Sequence, residues 1–193
     1  MYNYGLLPEI FNTGELPTEL TKSVFVAMPK KPGAIECELH RTISLMSHVT
    51  KTLLHILINR LRRSIRPEIS ETQCGYVKDK GTRNAILMLR LVAEKSISKQ
   101  QDLYLCFIDY TKAFDKVRHE NLMTMLEGLE IDGKDLRLVR NLYWDQTAAV
   151  RIGGELGEWK SIRRRGVRQG CVMSPGLFNL YSEKILLVTL NIL

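Results

Sequence analysis

The hydrophobic pattern changes most sharply at a short apolar run near the middle of the chain. Residues 103–108 read LYLCFI, which is apolar on both faces and typical of a strand buried in the middle of a sheet. The run ends on Asp109, and an unpaired carboxylate buried there would be costly. Asp109 is therefore predicted to meet a metal ion, a cation or hydrogen-bond donors. From the residues alone, Asp109 followed by Asp115 also fits a strand-end carboxylate and a helix N-cap.

Helical periodicity lies on both sides of this run. An amphipathic helix with a basic outer face is predicted from Val49 to near Pro67, and a second from an N-cap at Thr82. Two more helices are predicted after Asp115. The expected buried positions are Leu53, Leu54, Leu57, Leu61 and Ile65 in the first helix; Ala85, Ile86, Leu89, Val92 and Ala93 in the second; Leu122, Met125, Leu126 and Leu129 in the third; and Leu136, Val139, Leu142 and Tyr143 in the fourth.

Two further stretches have the pattern of strands. Residues 23–28, SVFVAM, are rich in β-branched and aromatic side chains, and AAVRIGGELGEWKSI has strand character on both sides of Gly153 and Gly154, as a hairpin requires. Short strands interleaved with helices predict an α+β architecture. The final ILLVTLNIL is about half as long as the roughly 20 residues of a membrane helix, so it predicts a core helix or strand and no membrane partner.

Composition narrows the function classes only partly. A chain of 193 residues suits one domain, and its net charge of +7 suits a polyanionic partner and solubility equally well. The four cysteines are scattered and no signal sequence is evident, which predicts free thiols, no disulfide partner and an intracellular location, nuclear or cytoplasmic.

Three basic segments are candidates for binding phosphate groups. The first is the PKKPG turn and the segment after it, the second is the outer face of the helix that starts at Val49, and the third is IRRRGVRQG. Each has a plainer interpretation, as a solvated turn, a solvated helix face or a localisation-like basic run. The candidate residues are Lys30 and Arg41; Arg62 and Arg63; and Arg163, Arg164, Arg165 and Arg168.

Four blocks in this chain, taken together, resemble a known family. FIDYTKAFDKV is similar to the first palm motif of reverse transcriptases in LINE-type (non-LTR) retrotransposons and group II introns, and GVRQGCVMSPGLFNLY is similar to the second. HRTISLMSHVTKTLLHILINRL and QCGYVKDKGTRNAI resemble two fingers blocks. The chain departs from the family pattern at Thr42, where Pro is usual, and at Val172 and Met173, where Pro-Leu is common.

The resemblance implies a right-hand polymerase fold, truncated in this chain. It implies fingers at about 1–100 and palm at about 101–193, with helices on a small, mainly antiparallel sheet and with the third palm motif and the thumb absent. The implied activity is RNA-directed DNA polymerisation, with an RNA template, a DNA primer and deoxynucleoside triphosphates as partners. No endonuclease or RNase H region is expected.

The resemblance also implies roles for individual residues. Asp109 would bridge two Mg²⁺ ions with help from the backbone carbonyl of Tyr110, and Phe114 would be the steric gate under the ribose. Gln169 would lie near the incoming nucleotide, and Gly170 would let the backbone approach closely. Among the basic candidates, Lys30 and Arg41 would contact the triphosphate, and Arg163, Arg164, Arg165 and Arg168 would contact template or primer.

Two alternatives remain open at the level of sequence. A non-catalytic retroelement remnant that at most binds nucleic acid is one, because the carboxylates of the third motif are missing. An RNA-directed RNA polymerase is the other, although the ring of Phe114 would crowd a ribose 2′-hydroxyl. As given, the chain is expected to be inactive, since one metal-binding carboxylate of the expected three is present.

Overall fold

A computed structural model describes residues 5–190, with the side chain of Leu190 left out. The predicted α+β class is confirmed. The helices are α1 Leu6–Thr13, α2 Thr18–Thr21, α3 His48–Ile65, α4 Thr82–Ser98, α5 Ala113–Lys116, α6 His119–Glu127, α7 Gly133–Trp144 and α8 Ser174–Leu190. The strands are β1 Lys22–Pro29, β2 His40–Leu45, β3 Thr147–Ile152, β4 Glu155–Leu156 and β5 Lys160–Ser161.

The sheet is built around β1. Strand β2 pairs with β1 antiparallel and β3 pairs with it parallel, while β4 and β5 both pair antiparallel with β3. The predicted strand at 23–28 and the predicted hairpin are confirmed. Gly153 and Gly154 have φ values of 59° and 92°, the positive angles that a tight two-residue hairpin turn needs. The sheet is thus mainly antiparallel, with one parallel pair.

Helices α3, α6, α7 and α8 enclose the hydrophobic core. All five predicted core positions of α3 are buried, and its N-cap is Ser47, whose Oγ accepts a hydrogen bond from the Thr50 N–H at 3.0 Å. The predicted stripes of α6 and α7 are largely confirmed. Buried residues there are Leu122, Leu126, Leu138, Val139, Leu142 and Tyr143, with Met125, Leu129 and Leu136 partly buried against them.

The buried central strand predicted at 103–108 is wrong. This segment has no helix or strand, and its side chains are exposed, with Tyr104 at 89% and Phe107 at 79% of their full accessible area. A strand with apolar side chains on both faces is buried only when other elements of the fold pack against each face of its sheet. In the described part of the chain, no strand pairs with this segment.

The predicted buried stripe of α4 is also wrong. The helix forms, but no residue along it is buried, and Ile86, Leu89 and Val92 are all exposed. Its N-cap is Gly81 rather than Thr82, and the Gly81 N–H donates to Asn84 Oδ1 at 3.0 Å. Helix periodicity therefore predicted helix α4 correctly, but the burial of its apolar side chains is not observed.

The apolar segment at the end of the chain continues α8. Leu177 and Leu180 in the first half of α8 are fully buried, but Leu187 and Val188 are exposed, so the predicted core position of this segment is not observed. Residues 191–193 of that segment lie outside the described residues. Among residues 5–190, no helix combines the length and the apolar character needed to cross a membrane.

Candidate functional site

The fold places the two palm-like sequence blocks directly side by side. The N–H of Val167 donates to the carbonyl of Phe114 at 2.9 Å, and the N–H of Gly166 donates to the carbonyl of Val117 at 2.8 Å. At Gly166, φ is +93°, and a Cβ built there would lie 3.6 Å from the Cα of Asp115. Segment 114–117 and segment 166–167 therefore form one backbone unit although about 50 residues separate them along the chain.

Strand β2 is attached to the same unit. The N–H of Ser44 donates to the carbonyl of Gln169 at 2.8 Å. Gly170 follows with φ of +90°, and a Cβ there would lie only 3.4 Å from the carbonyl oxygen of Ser44. Both the backbone conformation and the close approach to β2 explain glycine at this position. This close approach is to the protein's own backbone.

A cleft of about 240 Å³ opens where these segments meet. Its wall includes Thr42 of β2, Asp115, Arg165 and Gln169. Partial burial raises the pKa of Asp115 above its ordinary value, while the nearby charges of Lys112 and Lys30 act in the opposite direction. The cleft thus combines a carboxylate, a guanidinium and an amide, with lysine charge close enough to be felt by Asp115.

Lys30 lies at the start of the connection between β1 and β2, and Arg41 lies on β2. Both side chains are exposed. The Nζ of Lys30 donates to the carbonyl of Glu38 at 3.0 Å, and its backbone N–H donates to the carbonyl of Leu39 at 2.8 Å. Arg41 pairs across the sheet with Met28 and precedes Thr42 of the cleft wall. Both residues are positioned by the β1–β2 hairpin, which reaches the cleft through β2.

Phe114 is partly buried in an aromatic cluster. Its ring centroid lies 5.0 Å from that of Phe178 and 5.9 Å from that of Tyr76. Tyr110 meets Phe178 edge-on at 6.3 Å. Such pairs contribute about 0.5–1.5 kcal/mol beyond the burial of area. The position of Phe114 next to Asp115 of the cleft is compatible with a gate, and its contacts are also compatible with a packing role.

Asp109 and Tyr110 directly follow segment 103–108, which was expected to be a strand, and both are exposed. Within residues 5–190, no three His, Cys, Asp or Glu side chains are grouped so that they could hold a metal ion. A magnesium site needs several hard oxygen ligands, and Asp109 supplies one carboxylate. The donors among residues 5–190 therefore do not make up a complete metal site.

Arg168 is placed differently from the other predicted nucleic-acid contacts. It is buried, and its guanidinium donates to the Oε1 of Gln146 at 3.0 Å and to the carbonyl of Thr21 at 2.8 Å. Burial lowers its pKa. The guanidinium is used inside the protein and does not face solvent, so Arg168 is not part of the candidate nucleic-acid surface. The sequence carries no signal that separates it from its three arginine neighbours.

The remaining predicted basic residues are exposed. Arg163, Arg164 and Arg165 follow β5, and Arg62 and Arg63 lie in the last turn of α3. Arg164 also contacts Glu120, with 3.0 Å between Nη1 and Oε1. Exposed ion pairs of this kind contribute at most about 1 kcal/mol, so this contact leaves Arg164 able to exchange partners.

The sequence predicts no role in the cleft for Thr42 or Gln146. It allows Asp115 to be a helix N-cap, and Asp115 is also the first candidate for a second carboxylate ligand beside Asp109. In the structure Lys112 is the N-cap of α5, and Asp115 lines the cleft. The sequence signal that could have indicated a role for Asp115 is its position beside Phe114, in a block that contains several candidate site residues. Gln146, which lies between α7 and β3, had no signal of its own in the sequence.

Comparison with known proteins identifies the family of this chain. The model of the family described as reverse transcriptase (RNA-dependent DNA polymerase) matches residues 28–191, and the chain belongs to that family. A Retrovirus-related Pol polyprotein from type-1 retrotransposable element R2 of Popillia japonica is 29% identical over 173 residues, covering 90% of this chain and 24% of that protein.

Two other relatives come from different mobile elements. The Transposon TX1 uncharacterized 149 kDa protein of Xenopus laevis is 27% identical, with 95% of this chain and 14% of that protein covered. The RNA-directed DNA polymerase from mobile element jockey of Drosophila funebris is 24% identical, with 94% and 20% covered. The chain thus spans about a quarter or less of the length of these relatives. The predicted kinship with non-LTR retrotransposon proteins is confirmed.

Proposed function

We propose that this chain is the fingers and part of the palm of an RNA-directed DNA polymerase from a LINE-type element. Residues up to about 100 would form the fingers and residues from about 101 the palm. The partners would be an RNA template, a DNA primer and deoxynucleoside triphosphates, in the nucleus or the cytoplasm.

The observation that carries this proposal is the meeting of the two palm-like blocks and β2 around one cleft. Asp115 of the cleft wall comes from the first block and Gln169 from the second, and the backbone bonds between these segments fix their relative positions. Phe114 precedes Asp115 in the chain and packs against Phe178 and Tyr76. A preformed cleft with a few convergent polar groups is the usual form of a small-molecule site. The nucleotide would bind here, with Lys30 and Arg41 directed at its phosphates.

The role proposed for Asp109 is that of one ligand to the two Mg²⁺ ions of a complete enzyme, with the Tyr110 carbonyl beside it. When bound, these ions would neutralise charge that develops on the phosphates. The described residues supply too few carboxylates for the ions, so we expect the chain alone to be inactive. A fusion that adds the third palm motif and the thumb of a close relative is expected to be active.

The test compares the chain and this fusion in primer extension on an RNA template with Mg²⁺ and deoxynucleotides. We expect extension by the fusion only, and loss of extension in fusion Asp109→Asn. Fusion Asp102→Asn is the matched control, because Asp102 is an exposed carboxylate in the same segment. Extension by the unfused chain that disappears in Asp109→Ala would contradict the expected inactivity, and would make Asp115 the first candidate for a second ligand. A fusion in which both Asn variants extend equally well would rule out the role of Asp109.

We also expect the unfused chain to bind single-stranded RNA or DNA weakly and without sequence preference. The support is the net charge of +7 and the exposed cluster Arg163, Arg164 and Arg165. In fluorescence polarisation, the logarithm of affinity should fall linearly with the logarithm of salt concentration. Replacing the three arginines with Ala should reduce that slope by about 2, since each single-strand phosphate contact contributes about 0.7.

The control for this prediction is the triple variant Arg83→Ala, Lys95→Ala, Lys99→Ala. It removes the same charge from exposed positions on and just after α4. The control should shift the slope much less than the arginine variant. Equal slopes in the two variants would mean that binding depends on net charge alone, and binding that is independent of salt would exclude the arginine surface.

The alternative function is that of a retroelement remnant that binds nucleic acid and has no catalytic role. The lack of a metal-binding group of carboxylates among residues 5–190 favours it. The two proposals differ in the fusion experiment. A folded fusion that binds primed template and never extends it would favour the remnant.

A further inference from the structure

Two arginines from distant parts of the chain lie opposite each other across a short backbone bridge. Arg118 precedes α6, Arg165 follows β5, and the two residues form an isolated antiparallel bridge. The residues directly before and after them form two backbone hydrogen bonds, from the His119 N–H to the Arg164 carbonyl at 3.0 Å and from the Gly166 N–H to the Val117 carbonyl at 2.8 Å. Because these bonds flank the bridge, Arg118 and Arg165 form a non-hydrogen-bonded pair of an antiparallel ladder.

This geometry brings two positive charges close together. In a non-hydrogen-bonded pair the Cα atoms are about 4.5 Å apart and the side chains leave the same face of the ladder, and like charges at such positions are destabilising. Arg118 and Arg165 are both exposed, and neither forms an ion pair among residues 5–190. The carboxylate of Glu120 contacts Arg164 instead. The described part of the chain therefore leaves the arginine pair, Arg118 and Arg165, without a counter-charge.

The backbone that carries the pair is held in place on both sides. Arg164 has φ of +54°, in the left-handed region that residues with a Cβ adopt only at a cost, and Gly166 follows Arg165 with φ of +93°. On the other side, the Arg118 N–H donates to the hydroxyl of Tyr181 at 3.4 Å. Strained backbone persists only where surrounding contacts enforce it, and it is frequent at ligand sites. The fold therefore holds the two charges together at a cost in stability.

An anion between the two guanidinium groups would reverse this cost. Guanidinium groups bind phosphate oxygens in a bidentate way, so one phosphate could accept hydrogen bonds from both side chains and neutralise their repulsion. Arg165 also lines the cleft of about 240 Å³, together with Thr42 and Gln169. The arginine pair therefore lies at the edge of the cleft to which the proposed function assigns a nucleotide.

We propose that Arg118 and Arg165 together bind one phosphate group at the edge of this cleft. The inference rests on the proposed function, because it adds Arg118 to the nucleic-acid surface and assigns both arginines to the same phosphate. The phosphate would belong either to a nucleic-acid strand or to a free nucleotide, and the chemistry of recognition is the same for both. The pair recognises the phosphate and not the base.

The test is a double-mutant cycle in fluorescence polarisation at low salt, with labelled oligothymidylate and labelled deoxythymidine triphosphate as separate probes. With the probe that supplies the phosphate, Arg118→Gln and Arg165→Gln should each weaken binding about tenfold, as expected for a lost charge-assisted hydrogen bond. Because both arginines would hold the same phosphate, Arg118→Gln should weaken binding less than about twofold further once Arg165→Gln is present.

Two control variants separate the pair from general charge effects. Arg163→Gln controls for coupling, because Arg163 lies in the same basic run but is not opposite Arg118, so the effects of Arg163→Gln and Arg118→Gln should multiply. Arg83→Gln, at an exposed position of α4, controls for net charge and should weaken binding less than about twofold. Multiplicative effects of Arg118→Gln and Arg165→Gln with both probes, or an effect of Arg118→Gln no larger than that of Arg83→Gln, would overturn the proposal.

The melting temperature gives a second readout that an ordinary structural role would not produce. Removing one of two facing positive charges in Arg118→Gln should raise the melting temperature of the free chain by about 1–2 °C at low salt, and added salt should abolish this gain. Weaker binding by a more stable variant cannot result from unfolding. A lowered melting temperature would show that Arg118 stabilises the fold, and would overturn the proposed repulsion and the phosphate site with it.

The two probes also distinguish the sources of the phosphate. Coupling between Arg118 and Arg165 that is seen with oligothymidylate identifies a strand, and coupling seen only with the triphosphate identifies a free nucleotide. Failure of the phosphate site is distinguishable from failure of the proposed function. Salt-dependent binding of oligothymidylate that persists without coupling would refute only the site, whereas absence of binding by both probes would refute the nucleic-acid surface as well.

Discussion

Replacing Arg168 with Met is expected to lower the free energy of unfolding by about 3 kcal/mol. Its charged guanidinium donates to Gln146 Oε1 and to the Thr21 carbonyl, and lies 3.5 Å from the Leu142 carbonyl. Each buried acceptor left without a partner costs about 1–3 kcal/mol. The cost of burying the charge disappears in the variant and offsets part of the loss. Urea unfolding monitored by circular dichroism measures the difference.

Arg165→Met is the matched control for this prediction. Arg165 is three residues away in the same basic run, and its side chain is exposed. Its replacement should change the free energy of unfolding by less than about 0.5 kcal/mol. Equal stability of the two variants would show that the internal contacts of Arg168 contribute little. In salt-dependent binding the order should be reversed, with Arg165 affecting the slope and Arg168 not.

In the completed fusion, Phe114→Ala is expected to raise ribonucleotide incorporation relative to deoxynucleotide incorporation. A rigid ring under the ribose would exclude the 2′-hydroxyl by overlap, and such exclusion can discriminate strongly. The ratio of the two incorporation efficiencies is the measurement, and Asp109 should be required for both. If Phe114 is only a packing residue, its truncation should lower both activities together and cost up to about 3–5 kcal/mol of stability.

Phe178→Ala separates these two roles. Phe178 belongs to the same aromatic cluster, 5.0 Å from Phe114 between ring centroids, and is also partly buried. Its truncation should lower the melting temperature comparably and leave the ratio of ribonucleotide to deoxynucleotide incorporation unchanged. A ratio that changes equally in both variants, or in neither, would show that the gate assignment is wrong.

Much of the fold was predictable because local pattern and tertiary packing agree there. The five core positions of α3, the strand at β1 and the hairpin at Gly153 and Gly154 are as expected. The exposure of segment 103–108 and of the apolar positions of α4 was not predictable. A hydrophobic pattern indicates which side chains favour burial, but it does not show whether another element packs against them. Both errors therefore concern packing partners.

The candidate site shows the same limit. The sequence blocks predict roles for Phe114, Gln169 and Gly170, but the backbone bonds that join 114–117 to 166–167 depend on chain folding across about 50 residues. A run of arginines has no periodicity that tells an internal guanidinium from an exposed one, so the burial of Arg168 was not predictable. Asp115 lines the cleft, and its signal in the sequence is its position beside Phe114 in the first palm-like block.

The exposed apolar segment 103–108 affects how the chain behaves in concentrated solution. A segment without helix or strand whose large apolar side chains are exposed favours self-association of a protein. The net charge of +7 keeps molecules apart by repulsion, and added salt screens that repulsion. Colloidal stability should therefore decline as ionic strength rises, which makes low protein concentration the appropriate regime for any salt titration of this chain.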